Sequence, residues 1–244
     1  MLAIHILKSV PLFAGTTDEH LAMLANTSFR KYSARGDFVV KSGDDSEALY
    51  IIMSGGAKVL IAGENGHEVI LSILGPNDYF GEMGILDHKP IGATVKALER
   101  CEFLCIKSEA FLRCMSGNFE LAQRLTRGLA QRLSRANIQI RSLALLDTHD
   151  RVASLLQDMS KDINGHCVVE KAPNKRDIAA MVGASREMVS RVIRELKQSG
   201  RIHVEKRRVT LLNVGTNLHL RKSPKPTAVA ANSDVHDDPV AVNN

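Results

Sequence analysis

The chain has 244 residues, 44% hydrophobic and 24% charged, a globular balance with enough apolar material for one large or two modest domains. No apolar run approaches the roughly 18 residues of a membrane span, and MLAIHILKSVPLF has no small-residue cleavage site to make it a signal peptide. Four cysteines do not make a disulfide scaffold, so a soluble cytosolic protein is expected. The formal charge of +5 is unevenly placed: residues 151–225 hold 16 basic and 7 acidic residues, whereas residues 1–150 hold 16 and 17. A basic C-terminal third points to a polyanion-binding module joined to something else.

In chain order, residues 16–27 carry a helix start signal followed by Leu21, Leu24 and Ala25. From Tyr32 to Ile106, short β-branched runs alternate with turn clusters such as Ala34-Arg35-Gly36-Asp37 and Gly75-Pro76-Asn77-Asp78, the texture of a sandwich or small barrel. The period then changes from 2 to 3.6. Leu129, Leu133, Ala136, Ile140 and Leu143 form a heptad seam on a long helix, and a second copy of that helix is the simplest partner. After Asp147-Thr148-His149-Asp150, which reads as a polar hinge, a new helix begins at Arg151.

Asp177 to Leu196 fits a helix-turn-helix, with Ile178, Ala179 and Val182 facing the second helix and Gly183 making the sharp turn. Val189, Ile193 and Leu196 are expected to anchor that second helix, and Ser185 to cap it. Its exposed face then presents Arg186, Glu187, Ser190, Arg191 and Arg194. Arginine can read guanine bidentately in the major groove and glutamate can accept from cytosine N4. Residues 201–211 read as a two-stranded wing, and beyond about Leu220 no periodicity remains, so a disordered tail is expected.

The order of β domain, long helix and winged helix-turn-helix resembles the CRP/FNR family of bacterial transcription regulators over about residues 10–212. The resemblance rests on Gly75-Pro76-Asn77-Asp78-Tyr79-Phe80-Gly81-Glu82-Met83-Gly84 and Ala93-Thr94-Val95, on Leu143-Ala144-Leu145-Leu146-Asp147, and on Gly183 to Arg191. It implies an α+β chain divided into a cyclic-nucleotide-binding-type β-roll (1–116), a dimerisation helix (117–146), a winged helix-turn-helix domain (147–220) and a tail (221–244). It implies that Arg186, Glu187 and Arg191 read bases, in the manner of the catabolite-activator branch and its TGTGA-type half-sites. Ser185 and Asn174 match phosphate-contacting positions, Ser190 lies on the same face, and Lys206, Arg207 and Arg208 add backbone contacts. Palindromic double-stranded DNA, a homodimer and RNA polymerase are the implied partners.

The effector cassette of cyclic-AMP receptors matches at Gly81, Glu82, Gly84, Ala93 and Thr94 but departs at its arginine, where Ile91 stands with Gly92 beside it. Forgoing a charge-assisted phosphate contact forfeits about 1.5–3 kcal/mol. The adenine-facing Thr-Ser pair is replaced by Ala136 and Asn137. Cyclic di-GMP is therefore favoured slightly over cyclic AMP as a nucleotide effector, with Asn137, Arg135, Arg132, Arg141, Lys89 and Lys96 as polar or cationic groups near it. A ligand-independent regulator, or a sensor acting through protein partners, remains open. No cysteine precedes Cys101, so an FNR-type iron–sulfur cluster is not expected. No metal site and no catalytic constellation is expected either.

Overall fold

A computed structural model describes residues 2–63 and 67–212; the tail expected beyond 220 lies outside the described residues. Two four-stranded antiparallel sheets face each other in the N-terminal half. One has the order β1 (Ser28–Ser33), β8 (Cys101–Lys107), β3 (Ala48–Ser54), β6 (Tyr79–Phe80); the other β2 (Phe38–Val40), β7 (Thr94–Ala97), β4 (Ala57–Ala62), β5 (Glu68–Leu74). Strands β3 and β8 are buried on both faces, which is why their sequences are apolar without a break. Tyr50, Ile52, Phe103 and Cys105 point between the sheets, with Phe80 stacked on Tyr50 at 4.9 Å. The alternate residues, Leu49, Ile51, Leu104 and Ile106, pack against helices on the outside.

Those helices are α1 (Leu2–Ser9), α2 (Asp18–Asn26), α4 (Ser108–Ser116) and the start of α5 (Phe119–Leu145). Helix α1 was not expected: LAIHILKS is too short to show a repeat, and Leu7 and Val10 are buried only because tertiary partners are there. Cys101, Cys105 and Cys114 are free and buried. Burial raises all three thiols, Cys105 to about 12, so they are packing groups that stay protonated at neutral pH.

Helix α5 is 27 residues long, capped by the Asn118 side chain, which accepts from Leu121 N at 3.0 Å. Its two ends differ. Leu121 and Leu125 are buried against the β domain, whereas Leu133, Ile140 and Leu143 are exposed at 63%, 64% and 46%. Between them Gly128 lets the Tyr79 hydroxyl approach so closely that a Cβ there would collide with it.

The C-terminal domain is built from α6 (Thr148–Asp158), hairpin β9 (Lys161–Ile163)–β10 (His166–Val169), α7 (Lys175–Val182), α8 (Arg186–Gln198) and hairpin β11 (Ile202–Glu205)–β12 (Arg208–Leu211). The wing is not a separate two-stranded unit. β12 also pairs with β10, giving a four-stranded sheet in the order β11-β12-β10-β9. Asn164 and Gly165, both at positive φ, close the β9–β10 turn. That Asn-Gly pair is the signal in the sequence that would have revealed the hairpin. Val152, Leu156, Ile178, Val182, Val189, Val192 and Leu196 form the core.

Candidate DNA interface and effector cassette

Helices α7 and α8 are joined by Gly183 at φ 62°, a left-handed turn that glycine adopts at least cost. Ser185 accepts from Met188 N at 3.2 Å, capping α8, and Asn174 caps α7 by accepting from Asp177 N at 2.9 Å. Along α8, Val192 rather than Ile193 is the central buried anchor; Ile193 is half-buried at the edge of the core. The 3-4 spacing from Val189 through Val192 to Leu196 keeps one face inward. Arg186, Glu187, Arg191 and Arg194 are exposed on the rest of the helix, and Ser190 is half-buried. At the wing tip Lys206 adopts φ 51°, and Lys206, Arg207 and Arg208 are exposed, with the Arg207 guanidinium donating to Ala172 O at 3.2 Å.

Gly81, at φ 93°, and Gly84 open the short helix α3 (Glu82–Asp87). Each has a reason in the fold itself: a Cβ at 81 would meet Ala48 O at 2.7 Å, and one at 84 would collide with the Ser46 hydroxyl. Glu82 is 1% exposed. Its Oε1 accepts from Arg132 Nη1 on α5, and Arg132 Nη2 donates to Tyr79 O while the guanidinium lies 4.7 Å from the Tyr79 ring centroid. Burial raises the Glu82 carboxyl above its ordinary pKa, and Arg132 partly offsets that. Glu82 Oε2 is buried with no hydrogen-bond partner.

Ile91, at the place of the missing arginine, is 7% exposed and packs in the intersheet core, its backbone tied to Asp44 and Gly43. A Cβ at Gly92 would meet nothing within 4 Å. Ala93 is half-buried, and Thr94 uses its hydroxyl to accept from Ser42 N at 3.0 Å. On α5, Arg135, Ala136 and Asn137 are exposed, one turn beyond Arg132. Arg132 was one of several candidate cations in the sequence; the fold singles it out by placing it on Glu82.

The two halves also meet directly. Lys58 on β4 donates to Asp177 Oδ1 on α7 at 2.9 Å and lies 3.5 Å from Glu68, and both Lys58 and Asp177 are buried. Gln139 of α5 donates to Met181 O at 3.4 Å, and Leu143 Cδ2 would lie 3.1 Å from a Cβ at Gly183. No sequence signal marked Lys58 or Asp177, because neither pattern nor spacing predicts which surfaces of two domains touch.

Residues 30–118 match the model of the cyclic nucleotide-binding domain, and residues 150–216 that of the Crp-like helix-turn-helix domain. The cAMP-activated regulator Vfr of Pseudomonas aeruginosa is 30% identical over 190 residues, covering 75% of this chain and 88% of its own. The chain belongs to the CRP/FNR family. The Haemophilus influenzae CRP, another such regulator, is 32% identical over 184 residues, 74% of this chain and 82% of its own. Among solved structures, the c-di-GMP-responsive regulator CLP of Xanthomonas campestris shares the fold at TM-score 0.68 and 24% identity, covering 80% of this chain and 99% of that one. A CooA mutant from Carboxydothermus hydrogenoformans does so at TM-score 0.69 and 20% identity, covering 85% and 90%.

Membership of the CRP/FNR family makes this chain a DNA-binding transcription regulator carrying a cyclic nucleotide-binding domain, not an enzyme. No helix among the described residues is long and apolar enough to cross a membrane.

Proposed function

We infer that the chain acts as a homodimer on palindromic DNA and that a nucleotide second messenger sets its affinity. The observation that carries this reading is the Arg132–Glu82 pair. It joins the cassette to the helix whose outer end carries the exposed seam. Glu82 Oε2 is a buried acceptor without a donor, and a sugar hydroxyl is the donor a nucleotide would bring. A phosphate would compete with Glu82 and Tyr79 O for Arg132. Either contact would change how α5 lies on the β domain, and thus how two copies of Leu129, Leu133, Ala136, Ile140 and Leu143 pack. The two α8 helices fit DNA only when spaced about 34 Å apart, so a shift in that packing changes affinity through the population of the competent state.

Arg186, Glu187 and Arg191 are the base readers in this reading, with Ser190 beside them; Ser185, Asn174, Lys206 and Arg207 contact phosphate. Cyclic di-GMP is favoured over cyclic AMP because Ile91 belongs to the core and Gly92 supplies no cation. Of the arginines on α5, Arg132 lies on the cassette and Arg135 is exposed three residues further on; arginines suit two phosphates and guanine edges. The c-di-GMP-responsive regulator CLP supports that direction.

Fluorescence anisotropy on a TGTGA-type palindrome at fixed salt, with each nucleotide in turn, tests the proposal. A response to cyclic di-GMP alone, in either direction, supports it. A tenfold gain with cyclic AMP, about 1.4 kcal/mol, means the cassette works without its arginine. No response to either overturns the effector reading. Alanine at Arg186 or Glu187 is expected to cost about 1–3 kcal/mol each and to relax sequence preference; regulation that survives both would mean that partner proteins, not DNA bases, read this helix.

A further inference from the structure

The hinge between the long helix and the DNA-binding domain carries a cluster that neither the cassette nor α8 uses. Asp147, His149 and Asp150 bring one ligand atom each to within 4.8 Å of one another. His149 is 6% exposed, yet its Nδ1 has no hydrogen-bond partner, and the same holds for Asp150 Oδ1. Of six such buried, unpartnered side-chain atoms among the described residues, these two are neighbours in one turn and both can offer a lone pair; the next in the run, Arg151 Nε, is a donor that a cation would not meet. A run of unmet polar atoms in one turn indicates a missing partner rather than scattered imperfection.

The spacing says what kind of partner. His149 Nδ1 and Asp150 Oδ1 stand 3.6 Å apart, too far for a shared proton. Two ligands each about 2.0–2.2 Å from one ion at a tetrahedral angle are roughly 3.4 Å apart, which a small side-chain rotation would reach. Arg151, the neighbouring cation, is directed elsewhere: it donates to Leu146 O at 2.9 Å, to the Thr148 hydroxyl at 3.3 Å and to Gly183 O at 3.4 Å. Asp147 caps α6 by accepting from Asp150 N at 2.9 Å, which aims its carboxylate at the same point. Two carboxylates outweigh the roughly half positive charge of a helix N-terminus.

We propose that Asp147, His149 and Asp150 form a site for a first-row divalent metal ion, of the zinc or manganese class. Imidazole nitrogen with two carboxylates suits such ions better than magnesium or calcium, which take all-oxygen shells. Asp147 is exposed, so water completes the shell on that side. The proposal departs from the expectation of no metal, which rested on the absence of His/Cys spacing, because burial in this turn is not visible in spacing. All three ligands lie in one four-residue turn, so the ion stiffens the hinge rather than bridging domains.

The test is titration of the full-length chain, stripped with EDTA, with Co2+ followed by visible absorption and with Zn2+ followed by calorimetry. One ion per chain is expected. Asp147→Asn, which keeps the cap and loses the charge, and His149→Gln should each weaken binding at least about tenfold, while Cys167→Ser leaves it unchanged. Melting curves show that the variants are folded, and the exposed Asp147→Asn carries the test if His149→Gln is not. Absence of stoichiometric binding, unchanged binding in Asp147→Asn, or loss in Cys167→Ser each overturns the proposal.

Discussion

Glu82 and Glu187 each stand in the first turn of a helix, where the backbone dipole favours a carboxylate, yet they have opposite fates. Glu82 is buried and already paired with Arg132 of its own chain. Glu187 is exposed beside Arg186 and Arg191. Groups that face outward on a rigid, well-anchored helix wait for a partner; groups that face inward hold the chain together until something displaces their neighbour. Under the effector reading proposed above, the second arrangement is the one suited to a switch, because a ligand there would have to compete with an existing contact.

The sharpest way to break this contrast is at the outward-facing end of α5. Leu133→Glu with Ile140→Glu removes two large exposed apolar groups that a dimer would bury, about 1.5–3 kcal/mol each. Sedimentation should show a monomer, with DNA affinity lost; a dimer that persists would place the interface elsewhere. Next comes the inward pair. Arg132→Met leaves Glu82 buried without its cation and should cost about 3 kcal/mol, the low end for a broken buried pair because the Arg132 side chain is 35% exposed. A raised carboxyl pKa means stability is gained as pH falls through the folded-state value toward the ordinary carboxylate range, and lost as pH rises. Removing Arg132 raises that pKa further, so the variant's melting temperature should fall more at pH 7 than at pH 5. An equal fall at both would mean that Glu82 does not titrate as described.

Lys58→Met is expected to have a smaller effect. It leaves Asp177 with Asn174 alone, but the domains can part and rehydrate the carboxylate, so the cost stays below the about 3–5 kcal/mol of a trapped charge. Small-angle scattering should report a larger radius of gyration; unchanged scattering would show that the contact between β4 and α7 does not depend on the ion pair. The smallest expected effect is a gain. Gly92→Arg extends into open space and returns a guanidinium beside the cassette, so cyclic AMP binding by calorimetry should tighten about tenfold, or 1.4 kcal/mol. No change would mean that a guanidinium at 92, one position beyond Ile91, does not reach the nucleotide phosphate.

Much of this was legible in the sequence because it is local. Period-2 runs and glycine turns marked the strands β2 to β5, β7 and β8, and the 4-3 repeat marked the exposed face of α5. Ser185 and Gly183 mark the helix-turn-helix through capping and turn chemistry alone. Helix α1, strands β1, β6, β9 and β10, and the choice of Val192 over Ile193 were missed. Helix α1 and strand β6 are too short for a periodic signal, β1 is polar and mostly exposed, β9 and β10 flank an Asn-Gly turn that went unread, and Val192 and Ile193 lie about 100° apart at the two edges of a stripe whose centre only the packing fixes.

By itself the sequence determined the two modules, their order and the exposed chemistry of α8, since each follows from side-chain periodicity and backbone preference over short spans. Only the tertiary structure decided that Arg132 lies on Glu82, that Lys58 meets Asp177, and that His149 Nδ1 is buried beside Asp150 Oδ1 with neither atom hydrogen-bonded. Those contacts join residues up to 119 positions apart, or hinge on which side of a turn is covered, and burial is a property of everything packed around a residue rather than of the residue itself.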